Sequence, residues 1–175
     1  MQSWFALRVK SRCERTVATS AVGKGFEVLV PVYKARHDWS DRSKSLDVPL
    51  FPGYVFCRLE VENRFPLLTI PGVVHVVGVG RVPLPLDDRE VRALQTAIQA
   101  EAKLEPCPFL EGGERVRVGN GPLDGVEGIR VASGEGCRVA LSLTVLKRSV
   151  AVEIHPEWLT PAAAASRPDR YTQEC

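Results

Sequence analysis

Prolines and glycines at turn positions constrain this chain more than any other sequence feature. A Pro-Gly pair at 52–53 lies between Phe51 and an alternating segment that begins at Tyr54. Proline presets φ at the second position of a β-turn and glycine accepts a positive φ at the third, so the pair predicts a type II turn that leads directly into a strand. A second set of turn residues lies among alternating β-branched residues and comprises Gly121, Pro122, Gly125 and Gly128. This second pattern is typical of a small, tightly turned β-barrel.

Composition indicates a folded protein of one ordinary domain or two small ones. The 175 residues are 45% hydrophobic and 25% charged, and no apolar stretch approaches the roughly 20 residues that a membrane span needs. The strand-like segment at Trp4 has no leader pattern before it, so we expect a cytoplasmic protein without membrane contact. The five cysteines are scattered and contain no C-x-x-C pair. We therefore expect reduced thiols, no metal site and no cofactor.

The N-terminal part alternates between the strand period of two and the helical period. Strands are predicted at 4–10, 26–33, 54–61 and 73–79, the last as a central strand, and helices at 14–22 and from Asp87 to about Lys103. Glu90 follows Asp87 at capping-box spacing. Residues 34–49 mix charges and serine, which predicts a long mobile loop.

The division into domains follows from the prolines near residue 107. Pro106 and Pro108 exclude a helix or a central strand, so we expect a linker at 104–111. The predicted fold class is α+β: an N-terminal domain at 1–103 with a mainly antiparallel sheet and flanking helices, followed by an SH3-like barrel of about five short strands at 112–160. A flexible tail is expected at 161–175.

Charge is concentrated at the N-terminus although the net charge is only +2. Five of the first 26 residues are basic and one, Glu14, is acidic; the basic residues are Arg8, Lys10, Arg12, Arg15 and Lys24. Such a segment suits a phosphate backbone, and it equally suits a solvated helix face. The aromatics Tyr54 and Phe56, on the strand face opposite Val55 and Cys57, leave a similar choice between a covering helix and a partner-docking patch.

The chain contains two turns followed by strands, the Pro52-Gly53 turn and the glycine-rich turns at 121–128. With these motifs in this order, residues 1–160 resemble the NusG family of transcription elongation factors, which has a NusG-type N-terminal domain and a C-terminal KOW domain. The opening Met1-Gln2-Ser3-Trp4-Phe5 and the segment 49–56 are especially similar to the operon-specific RfaH and UpxY-like branch. The resemblance implies a monomeric transcription elongation and antitermination factor that suppresses pausing and catalyses no reaction.

The resemblance also implies contacts with RNA polymerase and DNA. The β′ clamp helices of the polymerase would contact an apolar patch comprising Phe51, Pro52, Tyr54, Phe56, Ala6, Arg8, Val91 and Leu94. A second contact, with the β subunit across the DNA cleft, would use Asn63 and Arg64. Nontemplate DNA would meet Lys10, Ser20 and Lys24.

The KOW domain would recruit a further partner through the loop at 144–148. Its implied contact residues are Leu146, Lys147 and Arg148, and its implied partners are the ribosome or antitermination factors. Leu146 stands where housekeeping members carry phenylalanine, which argues against binding to the termination factor Rho. The RfaH branch refolds this domain into a helical hairpin that masks the polymerase patch, whereas the β-branched residues and glycines here favour strands.

Two other classes of function compete with this interpretation. An enzyme would need a paired nucleophile and base, and Cys13, His37 and Asp38 supply no such local pair. The segment from Gly78 to Pro83 also lacks the third glycine of a dinucleotide site. The stronger alternative is an RNA-binding or ribosome-associated KOW protein, which would not need the aromatic patch at 51–56.

Overall fold

The computed structural model describes residues 1–39, 42–132 and 136–162, and within these ranges it does not describe the side chains of 36–39 and 42–44. The strands are β1 (Ser3–Val9), β2 (Glu27–Leu29), β3 (Val32–Trp39), β4 (Arg42–Pro49), β5 (Tyr54–Leu59), β6 (Val73–Val76), β7 (Gly78–Val79), β8 (Val82–Pro83), β9 (Leu104–Cys107), β10 (Arg115–Val118), β11 (Glu127–Ala132), β12 (Cys137–Leu143), β13 (Arg148–Ile154) and β14 (Leu159–Pro161). The α-helices are α1 (Glu14–Gly23), α2 (Phe65–Leu68) and α3 (Asp88–Gln99). The predicted α+β class is confirmed.

The N-terminal sheet is antiparallel and has the strand order β2-β5-β1-β6. One face of β1 carries Phe5, Leu7 and Val9, which pack beneath α1 in a core that includes Val17 and Ala21. The opposite face is buried as well, although strict alternation would leave it polar. Both faces of this sheet are therefore covered, each by a different part of the chain.

Two expectations for the N-terminal half are wrong. The described part of 34–49, which is 34–39 and 42–49, belongs to the paired strands β3 and β4, from Val32 opposite Pro49 to Trp39 opposite Arg42, and not to a loop. The described side chains from Ser45 to Asp47 are exposed, including Leu46, and the mixed charges and serines between them obscure the alternation that marks a strand in the sequence. The valine-rich strand β6 lies at the sheet edge rather than at the centre, and Val74 is 55% exposed.

The C-terminal strands form one antiparallel sheet in the order β14-β10-β11-β12-β13-β9. The strands β10 to β14 correspond to the roughly five short strands expected for this half; within the described residues the edge strands β14 and β9 do not pair with each other, so no closed barrel is detected. Strand β9 lies inside the predicted linker, where Pro106 sits opposite Val150. Because an edge strand tolerates a missing N–H, the proline is compatible with this position. The division of the chain at residue 103 stays a proposal, and the predicted tail beyond Ala162 lies outside the described residues.

The two halves of the chain share one hydrophobic core. Buried residues of the N-terminal sheet and α3 belong to the same cluster as the interior of the C-terminal sheet; they include Trp4, Phe51, Phe56, Leu94, Val116, Leu141, Leu146 and Val152. We call this cluster the shared core. The second face of the N-terminal sheet packs on α3, and α3 in turn contacts β12 of the C-terminal sheet.

Candidate functional site

The predicted turn at Pro52-Gly53 is present and closed by a hydrogen bond. The Tyr54 N–H donates to the Phe51 carbonyl over 3.1 Å, and Gly53 has φ +81°, the left-handed value that a type II turn requires at this position. Strand β5 begins directly after it.

Three contacts hold this turn in place: two hydrogen bonds to Gly53 and the packing of the Arg8 side chain over it. The Glu14 carboxylate, at the first position of α1, accepts a hydrogen bond from the Gly53 N–H over 2.8 Å. The Val9 N–H donates to the Gly53 carbonyl over 2.9 Å. The guanidinium end of Arg8 packs closely over Gly53, where a Cβ atom would meet it, and the positive φ of this residue favours glycine.

The structure brings together five of the predicted patch residues and buries them. We call Ala6, Phe51, Phe56, Val91 and Leu94 the aromatic face; each is at most 3% exposed and all belong to the shared core. The rings of Phe51 and Phe56 meet edge to face with their centroids 5.5 Å apart, which is a favourable aromatic geometry. These aromatics therefore lie in the shared core, in which α3 packs on the N-terminal sheet and also contacts the C-terminal sheet.

The remaining three patch residues form a rim that solvent reaches. Pro52 is exposed, and Arg8 and Tyr54 are half-buried. The guanidinium carbon of Arg8 lies 5.0 Å from the centroid of the Tyr54 ring, within cation–π range. Across the sheet, Arg8 pairs with Tyr54 on β5 and with the exposed His75 on β6. We use the name rim for Arg8, Pro52 and Tyr54.

A polar contact joins α3 to the C-terminal sheet beside the aromatic face. The Glu90 carboxylate accepts hydrogen bonds from the Thr144 N–H, over 3.0 Å, and from the Thr144 hydroxyl. The expected capping box is therefore half present: Asp87 accepts from the Arg89 N–H, while the Glu90 side chain bonds across to the other half of the molecule. Burial raises the pKa of Glu90 above its ordinary value, the two Thr144 hydrogen bonds counteract that shift, and the nearby Asp87 charge adds to it.

The segment of the predicted second contact folds as a short turn followed by α2. The Arg64 guanidinium donates to the Val61 carbonyl of the same turn over 2.7 Å, and the Asn63 amide reaches Glu60 over 3.4 Å. Both predicted residues thus make local bonds. The large apolar side chain of Phe65, directly after Arg64, is 71% exposed; the sequence analysis did not predict a role for it.

The predicted DNA residues are distributed along α1. Lys10 is exposed before the helix, Ser20 is half-buried near its end, and Lys24 is exposed at its C-cap. Ten helical residues span about 15 Å, so the two lysines lie at opposite ends of the helix. The one acidic residue of this segment, Glu14, is buried and hydrogen-bonded to Gly53, which leaves the exposed surface of the segment basic.

The predicted partner loop forms a single 3-10 turn at Thr144–Leu146. Leu146 is 8% exposed and belongs to the shared core. Lys147 adopts a left-handed conformation, and its ammonium group lies 3.2 Å from Glu111 and 5.2 Å from the Phe109 ring centroid. Arg148 is exposed at the start of β13. In this loop the basic side chains of Lys147 and Arg148 are exposed to solvent, whereas Leu146 is buried.

Other kinds of site find little support in the described part of the chain. Among the side chains that the structure describes, no three His, Cys, Asp or Glu residues lie close enough to hold a metal ion. Of the residues considered for catalysis, Cys13 caps α1, whereas the side chains of His37 and Asp38 lie outside the described residues. None of the helices in the described ranges has the length and apolar character of a membrane span.

Comparisons with known proteins identify the family. The family model for NusG, described as transcription termination factor, matches residues 2–95, more than half of the chain. The curated transcription termination/antitermination protein NusG of Buchnera aphidicola is 30% identical over 165 residues, covering 86% of this chain and 91% of that protein. Its counterpart in Borreliella burgdorferi is 24% identical over 174 residues, covering 87% and 95%. A solved structure, "Domain interaction in Thermotoga maritima NusG", matches 93% of this chain with a TM-score of 0.55 and 21% identity, and so supports the fold. The chain therefore belongs to the NusG family.

Proposed function

We propose that this protein is a transcription elongation and antitermination factor that binds RNA polymerase through the rim and the aromatic face. In this proposal the β′ clamp helices occupy that surface, and the segment at 63–65 makes a second contact with the β subunit. Nontemplate DNA passes along α1 at Lys10, Ser20 and Lys24. The loop at 144–148 recruits a ribosomal or antitermination partner. The RfaH-like start of the sequence favours a specialised member of the family.

One observation supports the proposal: the apolar aromatic face of the N-terminal half adjoins the rim, and its cluster extends into the C-terminal sheet, with which α3 is in contact. The aromatic face consists entirely of residues from the first 94 positions, and the rim extends it to solvent. Protein interfaces are anchored by aromatic and arginine side chains in this kind of arrangement. A turn fixed by three contacts presents these anchors with little loss of conformational entropy on binding.

In this proposal the shared core must open for polymerase to reach the buried aromatic face. A polymerase that binds only molecules whose shared core is open would shift the population towards this open arrangement. Its apparent affinity would be the intrinsic affinity multiplied by the fraction of molecules that are open. Leu146 is buried as well, so in this proposal a partner of the loop at 144–148 would also reach it only after the shared core opens. Bound across the nucleic-acid channel, the protein would stabilise the pause-resistant state of the polymerase without performing chemistry.

The rim residue Tyr54 provides the sharpest test. Replacing Tyr54 with alanine in the full chain should weaken binding to core RNA polymerase by about 2 kcal/mol, or roughly 30-fold, because it removes an aromatic anchor and the partner of Arg8. The measurement is a binding titration with purified core polymerase. Tyr33→Ala is the matched control, since Tyr33 is also half-buried against the shared core but lies on β3.

A variant on the other side of the covering contact completes this test. Thr144→Val keeps the shape of the side chain and removes one hydrogen bond to Glu90, so it should favour the open arrangement and raise the apparent polymerase affinity several-fold. Equal affinities of Tyr54→Ala, Tyr33→Ala and wild type would exclude the rim. If neither the wild type nor Thr144→Val binds polymerase and both bind RNA, the RNA-binding alternative is correct.

A further inference from the structure

Glu14 is a buried charged residue whose position requires an explanation. Its side chain is only 6% exposed, and Glu14 and Ser149 are the two buried polar residues of the described chain. Removing a carboxylate from water costs several kcal/mol unless hydrogen bonds compensate. An exposed first helical turn would accept a glutamate without this cost, so the burial of Glu14 indicates a specific role.

The environment of Glu14 shows how the buried charge is tolerated. The residue occupies the first position of α1, where the free N–H groups of a helix favour a negative charge. The N-cap residue Cys13 makes no side-chain capping bond. The carboxylate lies between this helix end and the Gly53 N–H, to which it is bonded over 2.8 Å.

The hydrogen bond from Gly53 fixes the most constrained residue of the turn. The Glu14 carboxylate holds the N–H of Gly53, and the Val9 N–H holds its carbonyl. The peptide groups on both sides of Gly53 are therefore anchored, one to α1 and one to β1. Because Tyr54 follows immediately and Arg8 packs over Gly53, the orientation of the rim depends on how this glycine is held.

We propose that Glu14 is the positioning residue of the polymerase-binding rim, acting through its hydrogen bond to the Gly53 N–H. The carboxylate bonds the turn to α1, the helix whose C-cap is Lys24. The rim and the proposed DNA-facing helix are thereby held in one orientation relative to each other. This inference rests on the proposed function, in which Tyr54 contacts polymerase.

The test compares two substitutions of similar size in the full chain. Glu14→Gln keeps an acceptor oxygen for the Gly53 N–H, whereas Glu14→Met fills the same space without an acceptor. Glu27→Met is the control, since Glu27 forms an exposed ion pair with Arg58 on the same sheet. For each protein we would measure hydrogen exchange at the Gly53 amide, the affinity for core RNA polymerase and the melting temperature.

We expect Glu14→Met to exchange the Gly53 amide at least about tenfold faster, because the amide loses its acceptor, and to bind polymerase about tenfold more weakly because the rim is no longer fixed. Glu14→Gln should restore most of both values, and Glu27→Met should behave as wild type. A role in stability alone would lower the melting temperature of Glu14→Met without lowering its polymerase affinity at a temperature where it is fully folded.

The outcomes separate the two proposals. If wild type binds polymerase and Glu14→Met binds equally well, the positioning role is wrong and the proposed function stands. If Glu14→Gln and Glu14→Met lose affinity equally, the hydrogen bond to Gly53 is not what matters, and the inference is overturned. If wild type does not bind polymerase, the proposed function is wrong. The role of Glu14 in polymerase binding is then wrong too, even if the exchange data show that Glu14 holds the turn.

Discussion

At the scale of single residues, Cys57 illustrates how strongly position controls chemistry in this protein. Cys57 is fully buried in the centre of β5, and burial raises the pKa of its thiol to about 12. At pH 8 only about one molecule in ten thousand would carry the reactive thiolate, even before access is considered.

We therefore expect iodoacetamide at pH 8 to modify Cys57 only after unfolding, and to modify the half-buried Cys13 faster in the native protein. Mass spectrometry of the labelled peptides over time measures both rates. Equal rates for Cys13 and Cys57 in the native state would contradict the burial of β5.

Some residues could be assigned from the sequence and others could not, for physical reasons. The Pro-Gly turn was predictable because proline and glycine carry their conformational preferences with them. The roles of Glu14 and Phe65 were not, since burial of a carboxylate and exposure of a phenylalanine depend on which elements pack together. The same limit applied to Phe56, whose burial depends on a cluster that includes residues about 90 positions later in the chain, such as Leu146.

At the scale of elements, α3 shows where local signals suffice. The sequence predicted its start at Asp87, and the Asp87 carboxylate accepts from the Arg89 N–H over 2.8 Å. The hairpin β3–β4 shows where they do not, because its strands pair with each other and its described residues include few buried side chains. Strand β6 likewise reads as a central strand from its valines, although its place in a sheet is decided by which neighbours are available.

The cap of α3 supports a prediction about stability. Asp87→Ala should lower the free energy of unfolding by about 1 kcal/mol, because the Arg89 N–H loses its acceptor. This corresponds to a decrease of roughly 2–4 °C in melting temperature for a chain of this size. Asp88→Ala, which removes an exposed carboxylate of the same turn that makes no capping bond, is the control. Equal melting temperatures for the two variants would contradict the capping role of Asp87.

At the scale of the whole molecule, we expect the stability of the folded protein to depend on pH through Glu90. Since burial raises the folded-state pKa of Glu90 above its ordinary value of 4.5, the folded protein binds this proton more tightly than the unfolded chain does. The resulting stabilisation is present below pH 4.5 and is lost as the pH rises through the folded-state pKa.

Glu90→Gln removes this titration and leaves one acceptor oxygen for Thr144. We expect the melting temperature of wild type, relative to that of Glu90→Gln, to decrease between pH 4 and pH 7, a range chosen around the ordinary value of 4.5. Thermal denaturation of both proteins across this range measures the difference. A difference that is constant or increases with pH would show that burial of Glu90 does not govern its ionisation.

The shared core can be completed only late in synthesis, because its residues come from both halves of the chain. Its residues extend from Trp4 to Ile154, and the ribosome makes the N-terminal half first. After α3 is complete, roughly 50 more residues are needed to reach the end of β13, which takes about 3–10 s at typical rates of translation. For that interval the nascent chain carries α3 without the sheet that α3 later contacts, so the shared core of every molecule stays incomplete until the C-terminal sheet has been synthesised.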